Sequence, residues 1–144
     1  MDTNATIEAQ NPLMSHRACF ACGVGNMDGL NLNFVINTNG MASAVWQPSP
    51  AFQSYPDRLH GGVIATLLDS AIVHALFAIN VAGVTAELTI RYLKSVGLID
   101  PVRVTGRVIS KRHGLYLCEA EIYQNKDCAV RASAKFMTLA SPCL

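Results

Sequence analysis

An α+β domain, one antiparallel sheet of five to six strands wrapped around one long central helix, is predicted by three observations. The segment His60–Asn80 is apolar over almost its whole circumference, two stretches of alternating apolar and polar residues precede it, and four more follow. A helix without a polar face must be enclosed by other structure, and alternating strands have one apolar face with which to enclose it.

Residues 1–18 show no sustained period and read as a loosely docked arm with no assigned function. The chain then divides into an N-terminal arm and loop, residues 1–29, and one domain, residues 30–140. From Leu30 the sequence alternates, with Leu30, Leu32, Phe34 and Ile36 on one face and Asn31, Asn33 and Asn37 on the other, predicting a half-buried strand. Asn39-Gly40 predicts a tight type I′ hairpin turn, with Met41–Gln47 as the returning strand, ended by Pro48 and Pro50. A loop rich in Pro, Ser and Gln leads to the helix His60–Asn80, and Gly83 falls where a helix stop is expected. Four strands follow, carried by Ala86, Leu88, Ile90 and Tyr92; by Val102, Val104 and Val108; by Tyr116, Cys118, Ala120 and Ile122; and by Val130, Ala132, Ala134 and Phe136. Turns between them are marked by Gly97 to Pro101, His113-Gly114 and Gln124 to Asp127.

With 144 residues there is material for one core. Apolar residues make up 51% and charged residues 15%, a surplus that predicts a buried subunit interface. A net charge of +1 supplies no basic field for nucleic-acid phosphates. The polar start of the chain, Met1–Gln10, does not read as a secretory signal, so the cytoplasm is the expected compartment. Cys19, Cys22, Cys118, Cys128 and Cys143 are odd in number and scattered, which suits reduced thiols. The most apolar stretch, Val63–Ile79, holds 17 residues and is interrupted by Asp69 and His74, so it predicts a core helix and no membrane span.

Two features in the helix carry chemistry. His60-Gly61-Gly62 opens it, where the first amide N–H groups lack intrahelical partners and glycines let a ligand approach them, as an oxyanion site requires. Asp69 lies further in, among Leu67, Leu68, Ala71, Ile72 and Val73, and an isolated carboxylate in apolar surroundings needs a partner or a cavity. Each feature also has a plain structural reading, as a tight turn and as an ion-pair or capping residue.

His60-Gly61-Gly62, Asp69 nine residues after the histidine, and Thr85-Ala86-Glu87-Leu88-Thr89-Ile90-Arg91-Tyr92-Leu93 together resemble the hotdog-fold acyl-CoA thioesterases of the PaaI-like branch. The resemblance covers about residues 30–139. It implies the hotdog fold, an acyl-CoA substrate and hydrolysis of its thioester. It also implies that the Gly61 N–H polarises the carbonyl, that Asp69 acts as nucleophile or as the base for water, and that Thr85 positions the water. Where the family often has Asn or Gln six residues before the histidine, this chain has Ser54 with Gln53 beside it. Ser54 is therefore a candidate catalytic residue, and Gln53, His60 and Gly62 are candidate substrate-binding or positioning residues.

Gly61 and Asp69 are eight residues apart, about 12 Å along one helix. A carbonyl donor and an attacking oxygen must both lie within about 3 Å of one thioester group, so one straight helix cannot supply both. The expectation is a homodimer with antiparallel helices and shared active sites, alone or as a dimer of dimers.

His74, five residues beyond Asp69, points elsewhere on the helix and reads as a hydrogen-bonded core or interface histidine. His16, Cys19 and Cys22 have ligand-like spacing, but no second close pair follows, so Cys19-Phe20-Ala21-Cys22-Gly23 reads as a loop packed near the substrate channel. No metal and no other cofactor is expected. Cys118 and Cys128 read as small core residues. One or two of Arg91, Lys94, Arg103, Arg107, Lys111 and Arg112 are expected at the CoA phosphates, and Met41, Phe52, Tyr55 and Phe77 are either acyl-pocket or core residues. Two other functions share this pattern: hydration or dehydration of an enoyl thioester, which needs a paired Asp and His, and a non-catalytic acyl-CoA-binding module.

Overall fold

The computed structural model describes residues 16–139. The sequence-predicted order of two strands, one helix and four strands is present: β1 (Val35–Ile36), β2 (Ala42–Trp46), α1 (Gly61–Phe77), β3 (Gly83–Tyr92), β4 (Val102–Arg112), β5 (Leu115–Gln124) and β6 (Asp127–Thr138). The strands form one antiparallel sheet in the order β1-β2-β4-β5-β6-β3. A single turn of 3-10 helix, Pro50–Phe52, lies in the loop before α1. No helix among the described residues is long and apolar enough to cross a membrane.

The helix lies on the inner face of the sheet. Leu67, Leu68, Ile72 and Leu76 of α1 are fully buried against Val102 and Val104 of β4, Ile122 of β5, and Val130 and Phe136 of β6. Each such Leu or Ile contributes on the order of 2 kcal/mol over its exposed state. The crossing over β4 is close enough that a Cβ added to Gly106 would lie 2.5 Å from the carbonyl carbon of Ala71. No side chain fits there.

Three local expectations are corrected. The strand expected from Leu30 to Ile36 is reduced to Val35–Ile36. Leu30 and Leu32 are buried as their alternation requires, but their amides donate to the carbonyls of Phe20 (2.7 Å) and Ala21 (3.0 Å). Asn31, at φ 55°, also breaks the extended backbone between them. Of the same expected face, Phe34 is half-buried and Ile36 is exposed, so alternation located the first two buried side chains but neither the full face nor the backbone pairing.

The turn before β2 is not type I′. Only Gly40 has a positive φ (81°), and the Asn37 side chain accepts from the amides of Asn39 (2.9 Å) and Met41 (3.0 Å), so the turn is built on an Asx motif with glycine in the left-handed position. The helix ends three residues before Asn80. Asn80 takes the left-handed conformation (φ 60°) while Val81 N–H reaches back to the Leu76 carbonyl at 3.0 Å, which is a Schellman stop. Gly83 instead opens β3, where a Cβ would meet Leu76 at 2.6 Å.

The other two hairpins follow their turn residues. His113-Gly114 (φ 51° and 78°) and Asn125-Lys126 (φ 53° and 70°) have both central residues left-handed, the type I′ geometry that matches strand twist. The first fifteen residues of the expected arm, the last residue of the expected domain, and Cys143 lie outside the described residues. Of the remainder, Ala21 is buried, and Cys19 and Cys22 pack against the core.

Because the Gly106 position is closed by backbone atoms of α1, Gly106→Ala is expected to displace the helix and cost about 1–3 kcal/mol. A lowered urea midpoint with an unchanged slope is the expected result.

Candidate active site

The start of α1 is fixed by three hydrogen bonds. His60 caps it, its Nδ1 accepting from the Gly62 N–H at 2.8 Å, while its own backbone N–H donates to the Phe52 carbonyl at 2.9 Å. The Tyr92 hydroxyl, at the end of β3, donates to the Gly61 carbonyl at 2.9 Å. Among the described residues the Gly61 N–H itself has no partner. A Cβ at Gly61 would meet nothing nearer than the Tyr92 hydroxyl at 3.5 Å, so the fold does not demand glycine there. What glycine leaves open is the approach to the free amide. A cavity of about 310 Å³ adjoins it, lined among others by Ser54, Tyr55, Arg58, Tyr92 and Lys94.

Asp69 faces a second cavity, of about 350 Å³, whose walls include Thr85, Ala65, Leu88, His16 and Cys22. The Thr85 hydroxyl donates to Asp69 Oδ1 at 2.5 Å. Burial raises the Asp69 pKa above the ordinary carboxylate range, opposed by the Thr85 hydrogen bond and by the field of His16. Desolvation is the largest of the three, so the site holds a carboxylate of enhanced basicity.

Thr85 reaches Asp69 because β3 is irregular. Strict alternation from Leu88 and Ile90 would turn Thr85 to the outer face. A bulge between Thr85 and Glu87 inserts Ala86 as an unpaired residue, so that Thr85 pairs with Phe136 and Leu88 with Ala134, both buried. Glu87 is turned outward, where it meets Lys135 at 3.4 Å. The extra residue shifts the parity of the strand and aims the hydroxyl at the helix.

The candidate residues therefore fall into two groups. Asp69 and Thr85 share one cavity; Gly61 and Ser54 line the other. The two do not merge within one chain, as the helix spacing requires. His60 holds the loop, the Gly62 N–H is already taken by it, and Gln53 is exposed beside the 3-10 turn without lining the Gly61 cavity. Among the cations, Lys94 and Arg58 flank the Gly61 cavity. Arg107 is paired with Glu119 at 2.8 Å, and Arg103 and Lys111 lie over the Tyr123 and Tyr116 rings. Phe52 packs on Trp46, and Phe77 lines a larger cavity of about 620 Å³ with Phe34 and His74.

His74 departs from its expected role. It stacks on Phe34 with ring centroids 4.5 Å apart, and its buried Nε2 has no hydrogen-bond partner among the described residues. Burial lowers its pKa to about 4, so it is neutral at ordinary pH.

What sequence reasoning missed at this site is the approach of His16 to Asp69 and the bond from Tyr92 to Gly61. His16 lies close enough to Asp69 for each to shift the other's titration, although 53 positions separate them in the chain. No periodic pattern encodes such a contact. Tyr92 is half exposed, so its residue type and position gave no sign that its hydroxyl reaches Gly61.

Residues 57–129 match the family model of the thioesterase superfamily. Among solved structures, a thioesterase superfamily protein is 25% identical with a TM-score of 0.75, over 80% of this chain and 60% of its own. The PaaI protein of E. coli, from the phenylacetic acid degradation operon, is 20% identical with a TM-score of 0.76, over 95% of this chain and 99% of its own. A hypothetical thioesterase from Streptococcus pneumoniae, solved with coenzyme A, is 19% identical with a TM-score of 0.70, over 77% and 88%. The hotdog fold and the resemblance to PaaI-like proteins expected from the motifs are both borne out.

The opposing influences on Asp69 predict a sign. Carbon-13 NMR titration of its carboxyl is expected to give a pKa above the usual Asp range, and Thr85→Ala, which removes an influence that lowers it, is expected to raise it further. A fall in Thr85→Ala would contradict the assignment.

Proposed function

Because this chain belongs to the thioesterase superfamily, we propose that it hydrolyses an acyl-CoA thioester to free acid and thiol at sites shared by two subunits. The observation that carries this reading is the half-buried Asp69 carboxylate, one oxygen held by Thr85, its pKa raised by burial, facing a cavity large enough for an acyl thioester end.

Asp69 takes a proton from a water held beside Thr85, and the water oxygen bonds to the carbonyl carbon. Negative charge then develops on the carbonyl oxygen, where Gly61 N–H of the partner subunit, at the positive end of its helix, stabilises it. The C–S bond breaks, and the proton leaves with the sulfur. A carboxylate of raised pKa is the better base for this step. Ser54 lines the Gly61 cavity, which supports a role for its hydroxyl at the same oxygen or at the water.

Two further observations support the reading. The Streptococcus pneumoniae structure contains coenzyme A, and Arg58 and Lys94 here border the Gly61 cavity, where the nucleotide phosphates of CoA need cations. The second is the free edge of β3. That strand has ten residues and, among the described residues, only β6 beside it, and a long unpaired edge calls for a cover. Antiparallel pairing of β3 with its twin covers both edges and sets the two helices antiparallel, with Asp69 of one subunit toward Gly61 of the other.

Asp69→Asn is expected to lower thiol release from acyl-CoA by at least about a hundredfold while the dimer persists in light scattering. Subunit mixing tests the shared site. Gly61→Pro removes the amide donor at a helix position that accepts proline, and His60, at φ −62° and ψ 133°, already has the backbone that precedes one. Each variant alone is expected to be inactive. Refolded together in equal amounts, half the dimers hold one intact site of two, giving about a quarter of the wild-type rate. No recovery on mixing, with heterodimers demonstrated, would sink the shared-site arrangement.

A further inference from the structure

From the segment that closes over the middle of α1, we infer that His16, Cys19 and Cys22 form a binding site for one thiolate-preferring divalent cation of the zinc type, with its fourth coordination position open to the Asp69 cavity. The inference departs from the sequence expectation of no metal.

The geometry carries it. The imidazole nitrogen and the two sulfurs all lie within 4.8 Å of one another, and His16 Nδ1 is 3.7 Å from Cys22 Sγ. Tetrahedral zinc with bonds of about 2.3 Å to sulfur and about 2.05 Å to nitrogen would set that edge at roughly 3.6 Å. The present distance therefore suits two ligands of one ion. A weak thiol–imidazole hydrogen bond would also span this distance, and the metal titration tells the two apart.

The chain is wound to hold these atoms together. Cys19 N–H donates to the His16 carbonyl at 2.9 Å and Gly23 N–H to the Cys19 carbonyl at 2.8 Å, closing two successive turns. A Cβ on Gly23 would fall 2.4 Å from the Arg17 carbonyl oxygen and 2.5 Å from the Cys19 nitrogen. The residue after the second cysteine must therefore be glycine for the turn to close. Phe77 packs edge-on against the His16 ring at 5.0 Å between centroids, orienting it. Three ligands from one short, tightly wound segment lose little freedom when they bind, because the fold has already placed them.

The fourth position has no fourth protein ligand among the described residues. His16, Cys19 and Cys22 all line the cavity that holds Asp69 and Thr85, so a water or an added donor would occupy the position there. Three protein ligands plus one exchangeable position is the composition of an open site. Burial and the neighbouring Cys19 raise the Cys22 thiol to about 12. Metal binding must therefore drive its proton to solvent.

The test uses the full, reduced chain titrated with cobalt(II), followed by competition with zinc. One cobalt per chain with the intense visible bands of tetrahedral sulfur ligation is expected, together with zinc protection of Cys19 and Cys22, read by mass spectrometry, against alkylation. Cys19→Ser and Cys22→Ser should each weaken binding at least about tenfold, whereas Cys128→Ser should not. Should either serine variant fail to fold, the alkylation pattern of the unaltered chain still decides. Weak octahedral cobalt, binding unchanged in the Cys19→Ser/Cys22→Ser pair, or no zinc protection would overturn the site. Asp69→Asn should bind cobalt normally, so loss of the metal site and loss of the hydrolytic reading are told apart.

Discussion

The seat of α1 on β4 governs the geometry of everything else in this fold. At Gly106 the strand and the helix backbone meet with no room for a side chain. Apolar packing of α1 against the sheet supplies the main force, and the hydrogen bonds of His60 and Tyr92 fix where the helix starts.

Against that rigid background Asp69 is balanced between two opposed effects. Desolvation by the surrounding apolar residues favours its protonated form, while Thr85 and His16 favour the ionised one. The Thr85 influence exists only because β3 bulges at Ala86 and changes which face its side chains use. A bulge at a sheet edge beside a carboxylate is a small distortion with a chemical consequence, since it converts a surface hydroxyl into the partner of the base. The exposed edge of β3 lies on the same element, so the features that complete the site and those that invite a second subunit are carried by one strand.

The segment 16–32 is a third part of the wall. Ala21, Leu30 and Leu32 dock it to the core, and this docking brings His16 beside Asp69 and the two cysteines beside His16. Its contribution does not depend on regular secondary structure. Backbone pairing of Leu30 and Leu32 with Phe20 and Ala21 replaces the sheet ladder that alternation alone suggested.

Alternation and the unbroken apolar helix were enough to determine the fold class, the element order and the enclosure of α1, because burial of alternate or all-round side chains is written directly in residue type. The His60-Gly61-Gly62 start and Asp69 were legible for the same reason: a glycine pair at a helix start and a charge in an apolar helix are local anomalies. Helix rise alone separated Gly61 from Asp69. Only the tertiary structure could decide what faces Asp69. The approach of His16 and the gathering of Cys19 and Cys22 depend on how a segment without periodicity packs. The bulge that turns Thr85 inward depends on pairing with β6, and the orphaned nitrogen of His74 depends on what surrounds it. Contacts between residues distant in the chain arise from packing, and packing is a property of the whole fold that no local pattern records.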